Sequence, residues 1–189
     1  MNSLFRNEQE EKDFGKAKEL VLSCGFSEAA LLECGTIELR EEVRKMCAAD
    51  TCGMYGKNWS CPPACGSLEE CREKVQGYRF GVLVQTIGEL EDSWDYEGMQ
   101  ETEKQHKETF RKAAALLREQ YPGLLALGAG CCTVCTSCSY PDGPCRFPEK
   151  RISSMEAYGI VVSDLCKANE MGYYYGPGKI AYTSCYLLG

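Results

Sequence analysis

Leu124-Leu-Ala-Leu-Gly-Ala-Gly-Cys131-Cys-Thr-Val-Cys135-Thr-Ser-Cys138, followed after a further short loop by Cys145, runs from an apolar stretch into a cluster of thiols. Leu124 to Leu127 reads as a short buried strand. Gly128-Ala-Gly130 ends it, and three cysteines at two-residue gaps follow. Such a gap lets consecutive side chains turn toward one point. Four thiolates so gathered suit an iron–sulfur cluster. Zinc also takes four, so spacing by itself leaves the metal open. A strand that runs out into a metal-gathering loop makes the rest of the chain a scaffold, and the flanking segments fit that reading.

Working outward, residues 8 to 23 carry Phe14, Ala17, Leu20, Val21 and Cys24 at helical spacing, and Gly25 stops them. Ala29 to Leu32 is a short buried strand. Glu38 to Cys47 is helical, with Leu39, Val43 and Met46 on one side. Ser67-Leu-Glu-Glu70 is a capping box at the start of a helix to about Val75. Tyr78 to Ile87 reads as a central strand. Residues 97 to 120 form a long charged helix with Phe110, Ala113, Ala114, Leu116 and Leu117 inward, ended by Pro122-Gly123. Ser153 with Glu156 makes a second capping box, Ser163 to Met171 a short helix, and Ile180 to Leu188 a last strand. This alternation predicts one α/β domain over residues 1–189, with a roughly four-stranded sheet flanked by helices and two cysteine-rich metal-binding loops.

The second loop covers residues 48 to 67. Gly53, Gly56, Pro62, Pro63 and Gly66 break regular structure there. Cys47, Cys52 and Cys61 form the N-terminal group, with Cys65 or Cys71 as fourth ligand. Two arrangements follow: a second centre of its own, which is the preferred one, or Cys61 lending a ligand to the other cluster. The C-terminal group is Cys132, Cys135, Cys138 and Cys145, with Cys131 a spare thiol beside it. Lys57 and Arg146 adjoin these cysteines and read either as charges that stabilise a reduced cluster or as solvated surface charges; Trp59 reads either as a shield against water or as a core anchor. Cys24, Cys34, Cys166 and Cys185 fall in or beside regular elements and read as core packing.

Fourteen cysteines occur among 189 residues, with His106 the one histidine. Any metal site is therefore mainly thiolate. His106 lies in a charged stretch and reads as solvated. No run of 18 apolar residues suggests a membrane span. The N-terminus turns acidic at once and lacks a signal peptide's apolar core, which predicts a cytoplasmic protein with reduced thiols. The net charge of −7, from 21 basic and 28 acidic residues, argues against nucleic-acid binding. No phosphate loop or nucleophilic triad is present, and Gly128-Ala-Gly130 lacks the third glycine of a dinucleotide fingerprint. Tyr173-Tyr-Tyr-Gly-Pro-Gly178 reads as a packed loop, with a lid or docking surface as its functional alternative.

Cys52-Gly-Met-Tyr-Gly-Lys-Asn-Trp-Ser-Cys61-Pro-Pro63, Cys135-Thr-Ser-Cys138, Cys145-Arg-Phe-Pro-Glu149 and Ser154-Met-Glu-Ala157 together resemble a widespread prokaryotic family of cysteine-rich, predicted metal-binding proteins of unknown function. The resemblance spans about Cys47 to the end of the chain. It implies metal ligation at Cys47, Cys52, Cys61, Cys132, Cys135, Cys138 and Cys145. Cys65 and Cys71 match less certain positions, and Cys131 lies outside the pattern.

The leading expectation is one or two 4Fe–4S clusters in an electron-transfer protein with a redox partner, its acidic surface suiting a basic one. The alternatives are a structural zinc protein, an enzyme whose cluster keeps an open iron, and a metal carrier.

Overall fold

The computed structural model describes residues 5–189; the first four residues of the N-terminal reading lie outside them. Five helices and a five-stranded sheet form an α/β architecture. The helices are α1 (Glu8–Cys24), α2 (Glu41–Ala48), α3 (Leu68–Gln76), α4 (Tyr96–Gln120) and α5 (Val162–Ala168). The strands are β1 (Glu28–Glu33), β2 (Phe80–Glu89), β3 (Leu125–Gly128), β4 (Ser153–Ser154) and β5 (Lys179–Leu188). They lie in the order β1-β2-β5-β3-β4, every pair antiparallel except β3 with β4.

Alternation along the two long central strands explains how the layers form. Val82 and Val84 of β2 and Tyr186 and Leu188 of β5 face α1 and α4, where Ala17, Val21, Phe110 and Leu117 complete one core. Leu83, Cys185 and Leu187 face the other way, onto Cys71 and Val75 of α3 and Leu165 and Cys166 of α5. A strand's side chains alternate between faces, so both faces of the sheet are apolar and both are covered. Cys34, Cys166 and Cys185 are buried there as expected, and Cys24 is half-buried.

Local signals set the helix ends. Gly25 closes α1 at φ 115, a conformation that only glycine adopts cheaply. At α3, Ser67 Oγ accepts from the Glu70 N–H (3.1 Å) and Glu70 Oε2 accepts from the Ser67 N–H (2.6 Å), the capping box read from the sequence. Replacing Ser67 by alanine is expected to cost about 1 kcal/mol. Urea denaturation checks this, and Ser67→Asp should recover most of the loss.

Three expectations are corrected. The sheet has a fifth strand, β4, which at two residues is too short for any periodicity to reveal. Ser153 heads no helix, because it pairs with Leu127 in that strand. Ser154 Oγ instead accepts from the Ala157 N–H, and Glu156 opens a 3-10 turn, Glu156–Tyr158. His106 is not solvated: it is fully buried between α4 and the sheet, with Nδ1 2.9 Å from Thr86 Oγ1 and Nε2 2.6 Å from Ser184 Oγ.

Parallel pairing of β3 with β4 demands a crossover connection of a dozen or more residues, normally a helix. Residues 129–152 supply it with a cysteine loop and one 3-10 turn, Pro148–Lys150. The other cysteine loop joins α2 to α3. Near residues 173–178, Tyr175 OH donates toward Gln85 Oε1 (2.6 Å) and Glu28 Oε2 (2.8 Å), while Tyr173 and Tyr174 are exposed. No helix among the described residues is long and apolar enough to cross a membrane.

Candidate metal centre

Gly130 opens the C-terminal loop at φ 67. A Cβ there would meet Glu103 Oε1 and Lys107 Nζ at 3.2 Å, so the backbone passes close against α4 before turning away. Beyond it, Cys132, Cys135, Cys138 and Cys145 all line one cavity of about 290 Å³, together with Cys131. These thiols are half-buried. The loop is braced from within by Ser139 Oγ donating to the Pro144 carbonyl (2.6 Å) and by Arg146 Nη1 donating to the Ser137 carbonyl (2.7 Å). Arg146 thus serves the loop backbone and lines no part of this cavity, whereas Arg151 and Lys57 do.

The N-terminal loop forms the opposite wall through Met54, Trp59 and Ser60. Its shape comes from short polar contacts. Asp50 Oδ1 accepts from the Tyr55 N–H (2.8 Å), and Asp50 Oδ2 lies 3.7 Å from Lys57 Nζ. Asn58 Oδ1 accepts from both the Ser60 N–H (3.0 Å) and its hydroxyl (2.6 Å). Three contacts then join the loops: Trp59 Nε1 donates to the Gly143 carbonyl (3.0 Å), the Trp59 ring meets Tyr140 edge-on at 5.0 Å, and the Cys132 N–H donates to Ser60 Oγ (3.3 Å). Trp59 therefore stands as a wall of the thiol cavity.

Cys47, Cys52 and Cys61 lie within electrostatic reach of one another. Burial pushes the Cys47 thiol above its ordinary range, and the neighbouring Glu156 carboxylate adds to this. Burial also raises Cys61, whose neighbour across the loop boundary is Cys131. Cys65 occupies a different setting. Arg44 Nη1 sits 3.7 Å from Cys65 Sγ and 3.9 Å from Cys71 Sγ while donating to the Ala157 carbonyl (2.7 Å), and its Nη2 donates to the Gly66 carbonyl (2.7 Å). The paired thiols hold Cys65 above the ordinary range and Cys71 below it, with Arg44 helping the latter. Cys71 is fully buried in α3.

Among the described residues, no three of His, Cys, Asp and Glu stand close enough together to hold a metal ion. The loops bring thiols around a common cavity without closing them on one point. The donor set nonetheless has the chemistry of a soft-metal site: thiolates predominate and no imidazole is available, since His106 is locked in the core.

A model of the family described as "Predicted metal-binding protein (DUF2284)" matches residues 30–188. The chain belongs to this family. The match takes in both cysteine loops and all five strands except the first two residues of β1. Neither a curated protein nor a solved structure matches the chain. Membership of a predicted metal-binding family agrees with a cysteine-rich chain whose thiols cluster in two adjoining loops.

Cys131 reads from the sequence as a spare thiol beside Cys132, with no spacing signal that would pair it with Cys61. Arg44 carries no sequence motif, although it ties α2 to the Cys65–Gly66 turn and to Ala157. His106 did carry a signal: it falls four residues before Phe110 on the inward face of α4.

Proposed function

We propose that this chain binds iron–sulfur clusters of the 4Fe–4S kind and passes single electrons to a redox partner in the cytoplasm. The observation that carries this reading is that Cys132, Cys135, Cys138 and Cys145 border one cavity of about 290 Å³. Four thiolates with no imidazole suit an iron–sulfur core; zinc also takes four, and acid-labile sulfide separates the two. Iron–sulfur clusters supply one-electron chemistry when bound.

Each residue then has a task. The four C-terminal cysteines are the ligands of one centre. Trp59 and Phe147 cover it and limit water, which bears on its potential. Cys47, Cys52 and Cys61 are ligands of a second centre, and two thiols adjoin Cys61: Cys65 and Cys131. Either completes the set. Closing the thiols to ligand distance requires the loops to tighten on loading, the usual coupling of metal binding to folding.

Protein purified without oxygen is expected to be brown, to contain iron and acid-labile sulfide, and to absorb broadly near ~400 nm. Zinc without sulfide would overturn the reading. Cys61→Ala is expected to remove about half of the iron and sulfide, because ligand loss empties one centre of two. Loss of all of it would instead favour a single centre shared by both loops. Cys65→Ser and Cys131→Ser, compared by the same assays, identify the fourth N-terminal ligand.

A further inference from the structure

The chain as a whole is acidic, but the surroundings of the C-terminal thiols are not. Beside the thiol cavity lies a groove of about 400 Å³ walled by Arg111 and Arg118 from α4, Lys150 from the 3-10 turn, and Thr133 and Val134 of the cysteine loop. Arg151 lines the thiol cavity itself. No carboxylate lines either space. None of these four cations, nor Arg146, forms an ion pair among the described residues, although eight ion pairs occur elsewhere. Arg111 donates to Thr133 Oγ1 (2.7 Å), and Lys150 Nζ sits 5.6 Å from the centre of the Phe147 ring. Asp142 and Glu149, the loop's own carboxylates, are paired with none of them.

Unpaired cations grouped in an acidic chain leave a local field that is not cancelled. Charges of one sign lining a groove focus that field outward and speed the arrival of an oppositely charged partner. Phe147, 40 % exposed and wall to the thiol cavity, adds an apolar contact inside the basic rim. An apolar centre with a charged rim is the usual anatomy of a transient interface.

We propose that the face formed by Arg111, Arg118, Lys150 and Arg151 around Phe147 is the docking surface for an acidic electron-transfer protein. This rests on the iron–sulfur reading above and names its partner by chemistry. It also reverses the expectation drawn from net charge, which pointed to a basic partner. The relevant charge is the local one, because screening at physiological salt confines each charge's influence to about 8 Å.

The test uses the metal-loaded full chain and two electron donors in stopped flow, a reduced acidic 2Fe–2S ferredoxin and the methyl viologen radical cation. Reduction by the ferredoxin should slow about tenfold between low and high salt. The double variant Arg111→Glu/Lys150→Glu should slow it by about tenfold or more at low salt, while methyl viologen reduces the variant no more slowly than the parent. Lys167→Glu, a single charge reversal on α5 across the sheet, should have little effect. A ferredoxin rate indifferent to both salt and charge reversal would overturn the docking proposal, leaving the iron–sulfur reading intact. Equal slowing with both donors would also overturn it, since the cations would then act on the centre and not on the encounter. A parent that holds no acid-labile sulfide and shows no chromophore for methyl viologen to bleach would remove the iron–sulfur reading itself.

Discussion

Cys135→Ser is expected to empty the C-terminal centre and to lower the melting temperature on the order of 10 °C. The first effect follows from the position of Cys135, one of the four proposed ligands that border the cavity. A serine hydroxyl is a hard, weakly acidic donor and a poor substitute for thiolate on a soft metal. The second follows from how little else holds the loop. Residues 129–152 connect β3 to β4 without an α-helix, so their backbone order comes from scattered bonds, among them Trp59 to Gly143, Cys132 to Ser60, Arg111 to Thr133, Ser139 to Pro144 and Arg146 to Ser137. Metal ligation is then a large share of the loop's stability. A loss of roughly 3 kcal/mol, at about 2–4 °C per kcal/mol for a chain of this size, gives the stated drop. Calorimetry, iron and sulfide assays and electron paramagnetic resonance on oxygen-free samples check it. Full iron content with an unchanged resonance spectrum would exclude Cys135 as a ligand. Cys185→Ser is the contrasting variant: it lies in the sheet core, so it should cost stability while leaving the metal content alone.

The parts of the fold legible in the sequence are those decided by neighbours along the chain. The strand at 80–89 and the helix at 96–120 have long, unambiguous periodicities, and the Ser67 capping box needs only four consecutive residues. The second Ser-x-x-Glu motif shows the limit. Ser153 carries the same local signal, but residues 153–154 return to pair with β3, and that ladder outweighs a cap. The site divides in the same way. Spacing alone nominated the four C-terminal thiols, and all four line one cavity. The setting of Cys65 was illegible, because it depends on Arg44, which in turn binds the carbonyl of Ala157, 113 residues away. Net charge is silent on the basic groove for a similar reason: a sum over the chain carries no information on which cations gather at one place.

The buried histidine makes the stability of the fold depend on pH in a defined window. His106 is fully enclosed, edge-on to Phe26 at 5.5 Å and stacked on Phe110 at 6.2 Å. Burial lowers its pKa from 6.5 to about 4, and neighbouring Lys107 contributes in the same direction. The hydroxyls of Thr86 and Ser184 can each donate or accept, so they can serve either form of the ring. The cost of protonation is therefore one of desolvation and not of a lost hydrogen bond. Between pH 6.5 and 4 the unfolded chain binds a proton at this position and the folded chain does not. Stability is complete above 6.5, falls as pH drops, and loses nothing further from this group below 4. A displacement of this size corresponds to roughly 3 kcal/mol. Urea denaturation at steps from pH 7 to pH 4 should show the parent losing about that much more stability than His106→Gln, whose side chain does not titrate. Equal losses in the two proteins would mean that the imidazole protonates inside the fold, and that the space between α4 and the sheet admits water.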